Sequence, residues 1–157
     1  MTRYAEKTSV PSDRSRAEIE KTLMRYGADS FMYGTSGTRA MIAFEAHGRR
    51  VQFRLPMPDR DADEFKRTPA RRTTRSPEQR EAAYEQAVRQ RWRALALVIK
   101  AKLEAVEAGI TEFEDEFLAH IMLPGGATAG DWLRPQIATA YETGKMPPLL
   151  PAPGERQ

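Results

Sequence analysis

The chain has 157 residues, which fits one domain with room for a real core. It contains no cysteine, so disulfides and thiolate chemistry are excluded, and a reducing compartment is favoured. Net charge is only +3, yet it is unevenly spread. Lys66, Arg67, Arg71, Arg72 and Arg75 lie close together with no acid among them, whereas Glu112, Glu114, Asp115 and Glu116 follow one another with no base.

Residues 1–11 are polar, end at Pro11 and read as a flexible N-terminus. They hold no apolar stretch of the kind a secretory signal needs, and no run approaches the ~20 apolar residues of a membrane span. The expected location is cytoplasmic. Ser12 or Asp13 is placed to cap a first helix that runs to about Tyr26, with Ile19, Leu23 and Tyr26 on its buried side and Gly27 as its end.

Three strands follow. Ser30 to Tyr33 is a short aromatic strand, and Gly34-Thr35-Ser36-Gly37 reads as the turn after it. Arg39 to Ala46 alternates, with Ala40, Ile42, Phe44 and Ala46 directed to one face. Arg50 to Leu55 alternates again, with Val51, Phe53 and Leu55 inward and Gln52 and Arg54 outward. His47-Gly48 connects the last two strands. The pattern predicts an antiparallel meander with one wet face. Pro56 and Pro58 stop the third strand, because proline cannot donate to the ladder. Residues 57–75 are then a long link rich in Arg, Asp, Thr and Pro, and long links of this kind are functional or disordered.

The strongest helix signal runs from Ser76 to Gly109. Ser76-Pro77-Glu78-Gln79 supplies an N-cap, a proline suited to the first helical position and a capping-box partner. Tyr84, Val88, Trp92 (or Arg91), Leu95, Ile99, Leu103 and Val106 form an apolar stripe on a helix roughly 48 Å long. Thr111 to Glu114 resembles a second capping box, opening a helix with Phe113, Phe117, Leu118 and Ile121 at helical spacing. A last helix from Thr128 to Thr143 is expected to turn Trp132, Leu133, Ile137 and Tyr141 inward, with a start near Leu133 if Pro135 must sit in its first turn. Residues 146–157 form an extended Pro-rich tail, whose Leu149 and Leu150 call for cover by the domain or a partner.

Chemistry-bearing motifs are sparse. His47 and His120 lack a second His or a carboxylate at metal-ligand spacing, and no metal or other cofactor is expected. Gly34 to Thr38 lacks the Lys and spacing of a phosphate loop, and GxSxG is absent. Pro124-Gly125-Gly126 has no basic residue beside it in the sequence before Arg134. Asp59, Asp61, Asp63 and Glu64 lack the Gly and distal Glu of a calcium loop. No catalytic set emerges, so the chain reads as a non-enzyme.

The functional signal is basic. Arg49 and Arg50 on the strand hairpin, with Lys66, Arg67, Arg71, Arg72 and Arg75 on the link, form a candidate nucleic-acid-binding set, since guanidinium forks suit phosphate. Of the strand aromatics, Phe44 and Phe53 belong to the core, and Tyr33 and Phe31 are left as bases' stacking candidates.

The order helix, three strands, helix over residues 12–108 is similar to the double-stranded RNA-binding domain. The start of the long helix, Pro77-Glu78-Gln79-Arg80-Glu81, lacks that family's basic cluster. The stretches RAMIAFEAHGRR (39–50), QRWRALALVIKAKLEAVEAGITEFEDEF (90–117) and YETGKMPPLL (141–150) resemble a group of small uncharacterised proteins encoded by bacteriophages and prophages. That resemblance names no activity and implies a phage setting, in host cytoplasm. The reading is thus an α+β domain over 12–145: a three-stranded antiparallel meander on a long central helix, with an N-terminal helix and two C-terminal helices. Its expected role is a non-enzymatic accessory protein binding nucleic acid in phage DNA replication or recombination. The alternative is a protein–protein interaction module, either an oligomeric phage component or a host-directed inhibitor.

Overall fold

The computed structural model describes residues 5–146. Helix α1 (Ser12–Arg25) leads into strands β1 (Ser30–Ser36), β2 (Arg39–Ala46) and β3 (Arg49–Pro56). A short helix α2 (Asp63–Lys66) precedes the long α3 (Pro77–Glu107). Then come α4 (Phe113–Phe117), a 3-10 turn (Leu118–His120) and α5 (Ala129–Thr143). The strands form one antiparallel sheet in the order β1-β2-β3, as the alternation predicts.

Helix α3 forms for local reasons. Ser76 Oγ accepts from the Gln79 N–H at 3.2 Å, and Gln79 Oε1 accepts from the Ser76 N–H at 2.9 Å. Both halves of the capping box are therefore made. At the far end Gly109 takes φ +72°, and the N–H groups of Gly109 and Ile110 bond back to Val106 and Ala105. That pairing closes the helix with a left-handed glycine. Its buried stripe is Trp92, Leu95, Ala96, Ile99 and Leu103.

The core lies between this stripe, α1 and one face of the sheet. Ala40, Ile42, Phe44 and Ala46 of β2 and Val51 and Phe53 of β3 are all buried in it, with Ile19 and Leu23 of α1. Phe117 of α4 seals the β3 side, with its ring edge-on to Phe44 at 5.9 Å and to Phe53 at 6.2 Å. Helix α1 runs alongside α3: Arg93 pairs with Glu18 at 2.5 Å, and the Tyr26 hydroxyl bonds Glu104.

Several local expectations are corrected. Neither Ser12 nor Asp13 caps α1, since Pro11 is the N-cap and no side chain makes the capping bond. Strand β1 is longer than its aromatic part: Gly34 to Ser36 stay paired to β2, and the turn is Gly37-Thr38, with Gly37 at φ +56°. Thr111 makes no capping box. Glu112 is the N-cap of α4 without a side-chain bond, and the helix gives way to the 3-10 turn after Phe117. Helix α5 starts at Ala129, not Leu133, because Thr128 and Asp131 form a full capping box; Pro135 lies inside the helix. Its Trp132, Ile137 and Tyr141 are exposed, by 48%, 53% and 88%, not turned inward. The expected cover of Leu149 and Leu150 concerns residues outside the described ones.

Residues 5–10 are tied to α3 through the Gln86 amide, which donates to the carbonyls of Glu6 and Thr8 at 3.1 and 2.8 Å. No helix of the described residues is long and apolar enough to cross a membrane.

Candidate nucleic-acid interface

The link is built, not slack. Phe65 of α2 is buried, its ring edge-on to Tyr84 of α3 at 5.8 Å, which fixes α2 to the first part of the long helix. Tyr84 also carries the Arg60 guanidinium over its ring, and Arg60 pairs with Glu81. Beyond α2 the chain folds into a small hairpin. The Arg75 N–H bonds the Lys66 carbonyl at 2.9 Å and the Thr68 N–H bonds the Thr73 carbonyl at 2.9 Å. Arg67 and Thr74 form an antiparallel bridge, and the two threonine hydroxyls at 68 and 73 meet at 2.8 Å. Arg72 sits at the tip with φ +51°, in the left-handed region that non-glycine residues seldom take.

The seven candidate residues fall into two groups. Arg67, Arg71 and Arg72 are exposed on the link hairpin, and no ion pair holds any of them among the described residues. Lys66 and Arg75 at its base are half-buried. Lys66 lies 3.7 Å from Asp63, and Arg75 donates to the Glu64 carbonyl at 3.2 Å. Asp63 and Glu64 also line a groove with Arg67 and Arg72, which tempers the positive field there.

Arg49 and Arg50 stand elsewhere. They begin β3, while the link leaves from its far end at Pro56, about 25 Å along the strand. Arg49 pairs with Glu114 at 2.5 Å and Arg50 with Glu45 at 2.6 Å. They share a groove with Asp29, Glu45 and the glycine turn Pro124-Gly125-Gly126. The sequence alone places no arginine beside that turn, but the fold brings two, each neutralised by an acid.

Of the two stacking candidates, Tyr33 keeps half of its surface exposed and Phe31 is partly buried. Phe31 and Tyr33 share the helix-facing side of the sheet with Phe44 and Ile42, their pairing partners. Tyr33 stands edge-on to Trp92 at 6.4 Å, with the Arg16 guanidinium 5.1 Å from both ring centroids. Neither ring is presented on the outer sheet face.

Helix α5 is fastened to β3 by a fork. Arg54 donates to both carboxylate oxygens of Asp131, at 2.9 and 2.7 Å, while Asp131 also accepts from the Thr128 N–H. The Arg54 hydrogen bonds, with those from Thr128, hold the Asp131 carboxyl far below the usual carboxylate range. Among the described residues no cluster of His, Asp or Glu is arranged to hold a metal ion. No family model matches this chain, and neither does any curated protein or solved structure.

Proposed function

We propose that this protein is a non-enzymatic accessory protein that binds nucleic acid through the arginine hairpin of residues 66–75. The observation that supports the reading is a cluster of arginines on one short loop, without acid partners among the described residues. Arg49, Arg50, Arg54, Arg60 and Arg93 are each engaged by an acid, whereas Arg67, Arg71 and Arg72 are exposed on an ordered loop without one among the described residues. Guanidinium groups without internal partners are free to donate bidentate bonds to phosphates, and a backbone already ordered spares the entropy of fixing the loop, leaving only the side chains' own freedom to be lost. The hairpin also lies at the N-terminal end of α3, where the helix dipole favours anions. Contacts of this kind position a phosphate backbone without reading sequence. A phage setting in replication or recombination belongs to the same proposal, on the strength of the resemblance alone.

Gel-shift titration at two salt concentrations tests it. Wild-type affinity should fall as salt rises. Arg67→Gln, Arg71→Gln and Arg72→Gln together should reduce the slope of log K against log salt by about 2–3. Arg49→Gln with Arg50→Gln should change it little. Absence of binding at low salt, or binding indifferent to the hairpin triple variant, overturns the reading.

A second reading, the protein–protein interaction module, is favoured by α5. Trp132, Ile137 and Tyr141 expose large apolar surface, as does Met146 just beyond the helix.

A further inference from the structure

The two edges of the sheet are finished differently. On β3 the outer edge is occupied: the Met122 N–H bonds the Arg50 carbonyl at 2.8 Å, Val51 and Ile121 form an antiparallel bridge, and His120 bonds the Gln52 backbone. On β1 nothing among the described residues pairs with the outer edge. Such an edge is a template for another strand unless charge, proline or a bulge blunts it. Between Ser30 and Ser36 there is no Lys, Arg, Asp, Glu or Pro, and the register to β2 is unbroken.

The register says which groups are free. The two-residue turn Gly37-Thr38 makes Ser36 and Arg39 a hydrogen-bonded pair. Gly34, Met32 and Ser30 then also bond to β2. The N–H and C=O groups of Phe31, Tyr33 and Thr35 point away from the sheet.

We infer that β1 is a self-association edge, pairing antiparallel with β1 of a second copy about a two-fold axis at Tyr33. This surface is distinct from both the arginine hairpin and α5. The argument for a second copy is self-complementarity. With Tyr33 opposite its own equivalent, Phe31 stands opposite Thr35 of the second copy, and the free N–H and C=O groups of all three residues find partners at once. On the outer face Met32, which is 57% exposed, comes opposite Gly34 of the second copy, whose missing side chain leaves room for it. A Cβ on Gly34 would meet nothing within 4 Å in the single chain, and its φ is not positive, so no internal packing or turn accounts for that glycine. The same axis joins the two sheets into one and satisfies the edge symmetrically, as a closed dimer requires.

Sedimentation or light scattering over about 1 μM to about 1 mM, without nucleic acid, tests it with two variants. Thr35→Pro removes an N–H that makes no bond within the chain, so the fold should survive and association should weaken at least about tenfold. Gly34→Val fits the free chain, and its strand propensity should hold or raise the melting temperature, yet it fills the space for Met32 and should weaken association in the same way. Salt separates this proposal from the arginine reading. Nucleic-acid binding weakens as salt rises. Self-association should not, since β1 itself carries no charged residue and the Arg16 side chains that lie over each Tyr33 are like-charged. A wild-type chain that stays monomeric throughout overturns the inference. So does a dimer that both variants leave intact.

Discussion

His120 shows how much one side chain can hold together. Its ring stacks on Phe53 at 4.0 Å, just where the 3-10 turn meets β3. Burial is the main reason its imidazole titrates below the ordinary value; the nearby Lys102 ammonium adds to the effect, and a bond to the Gln52 backbone opposes it. The consequence for stability has a definite sign. The unfolded chain takes up its proton near pH 6.5, while the folded protein resists until lower pH. Above that pH both states are neutral and nothing is lost. As pH falls through it, the unfolded state binds more protons and stability declines. Melting temperature should therefore drop between about pH 7 and pH 5. His120→Phe, which keeps a ring against Phe53 but has no proton to gain, should flatten the decline. Parallel pH profiles for the two proteins would show that His120 is not its source.

At the scale of elements, what was legible in the sequence was what is local. The Ser76–Gln79 capping box and the Gly109 terminator are written within a few residues of each end of α3, and both form. The alternation of Arg39 to Leu55 encodes its own inner face because side chains on a strand repeat every two residues. Structure that depends on partners across the chain was not legible. Gly34 looks like a turn residue but pairs with Met41, so β1 runs three residues beyond its aromatic part. The link looks slack because bonds such as Arg75 to Lys66 and Thr73 to Thr68 leave no periodic trace. The basic cluster on the link could be read directly. The pairing of Arg49 with Glu114 could not, since only the fold brings those elements together. Periodicity likewise marks an apolar stripe on α5 without saying whether anything covers it.

Pro135 is the clearest case of local preference yielding to context. Proline inside a helix removes the N–H that would bond the Asp131 carbonyl, yet α5 continues through it. The Thr128–Asp131 capping box and the Arg54 fork hold the first turn in place, which offsets that loss. Pro135→Ala restores the missing bond and should stabilise α5 by about 1–3 kcal/mol, read as more helical circular dichroism and a higher melting temperature. A lower melting temperature would mean that the proline shapes the seat of α5 on the 3-10 turn and is needed there.

Across the whole molecule, charge and apolar surface are both unevenly placed. Helix α3 is about 46 Å long, with the arginine hairpin at one end and the acids of α4 at the other. Glu114 and Glu116 of α4 are taken up by Arg49 and Lys102, so the acidic end is largely matched internally while the hairpin end is not. The apolar asymmetry belongs to α5. Its first turn is seated by Ala129, whose N–H bonds the Ile121 carbonyl, and by the Arg54 fork, but Ile137 and Tyr141 lie beyond that seat. A side chain already in water adds little to folding, whatever its polarity. Tyr141 is almost wholly in water, whereas Trp132 and Ile137 are about half covered, so replacing all three by Gln should cost little at Tyr141 and no more than about 1 kcal/mol at each of the other two. Leu103→Ala, in the buried stripe of α3, should cost about 2–5 kcal/mol. Denaturant melts of the two variants decide the matter. A loss in the triple variant as large as that of Leu103→Ala would place those side chains in the folding core and remove the case for α5 as a docking face. A loss within those limits leaves three large apolar groups whose retention folding does not explain, and an interaction with another protein would then account for them.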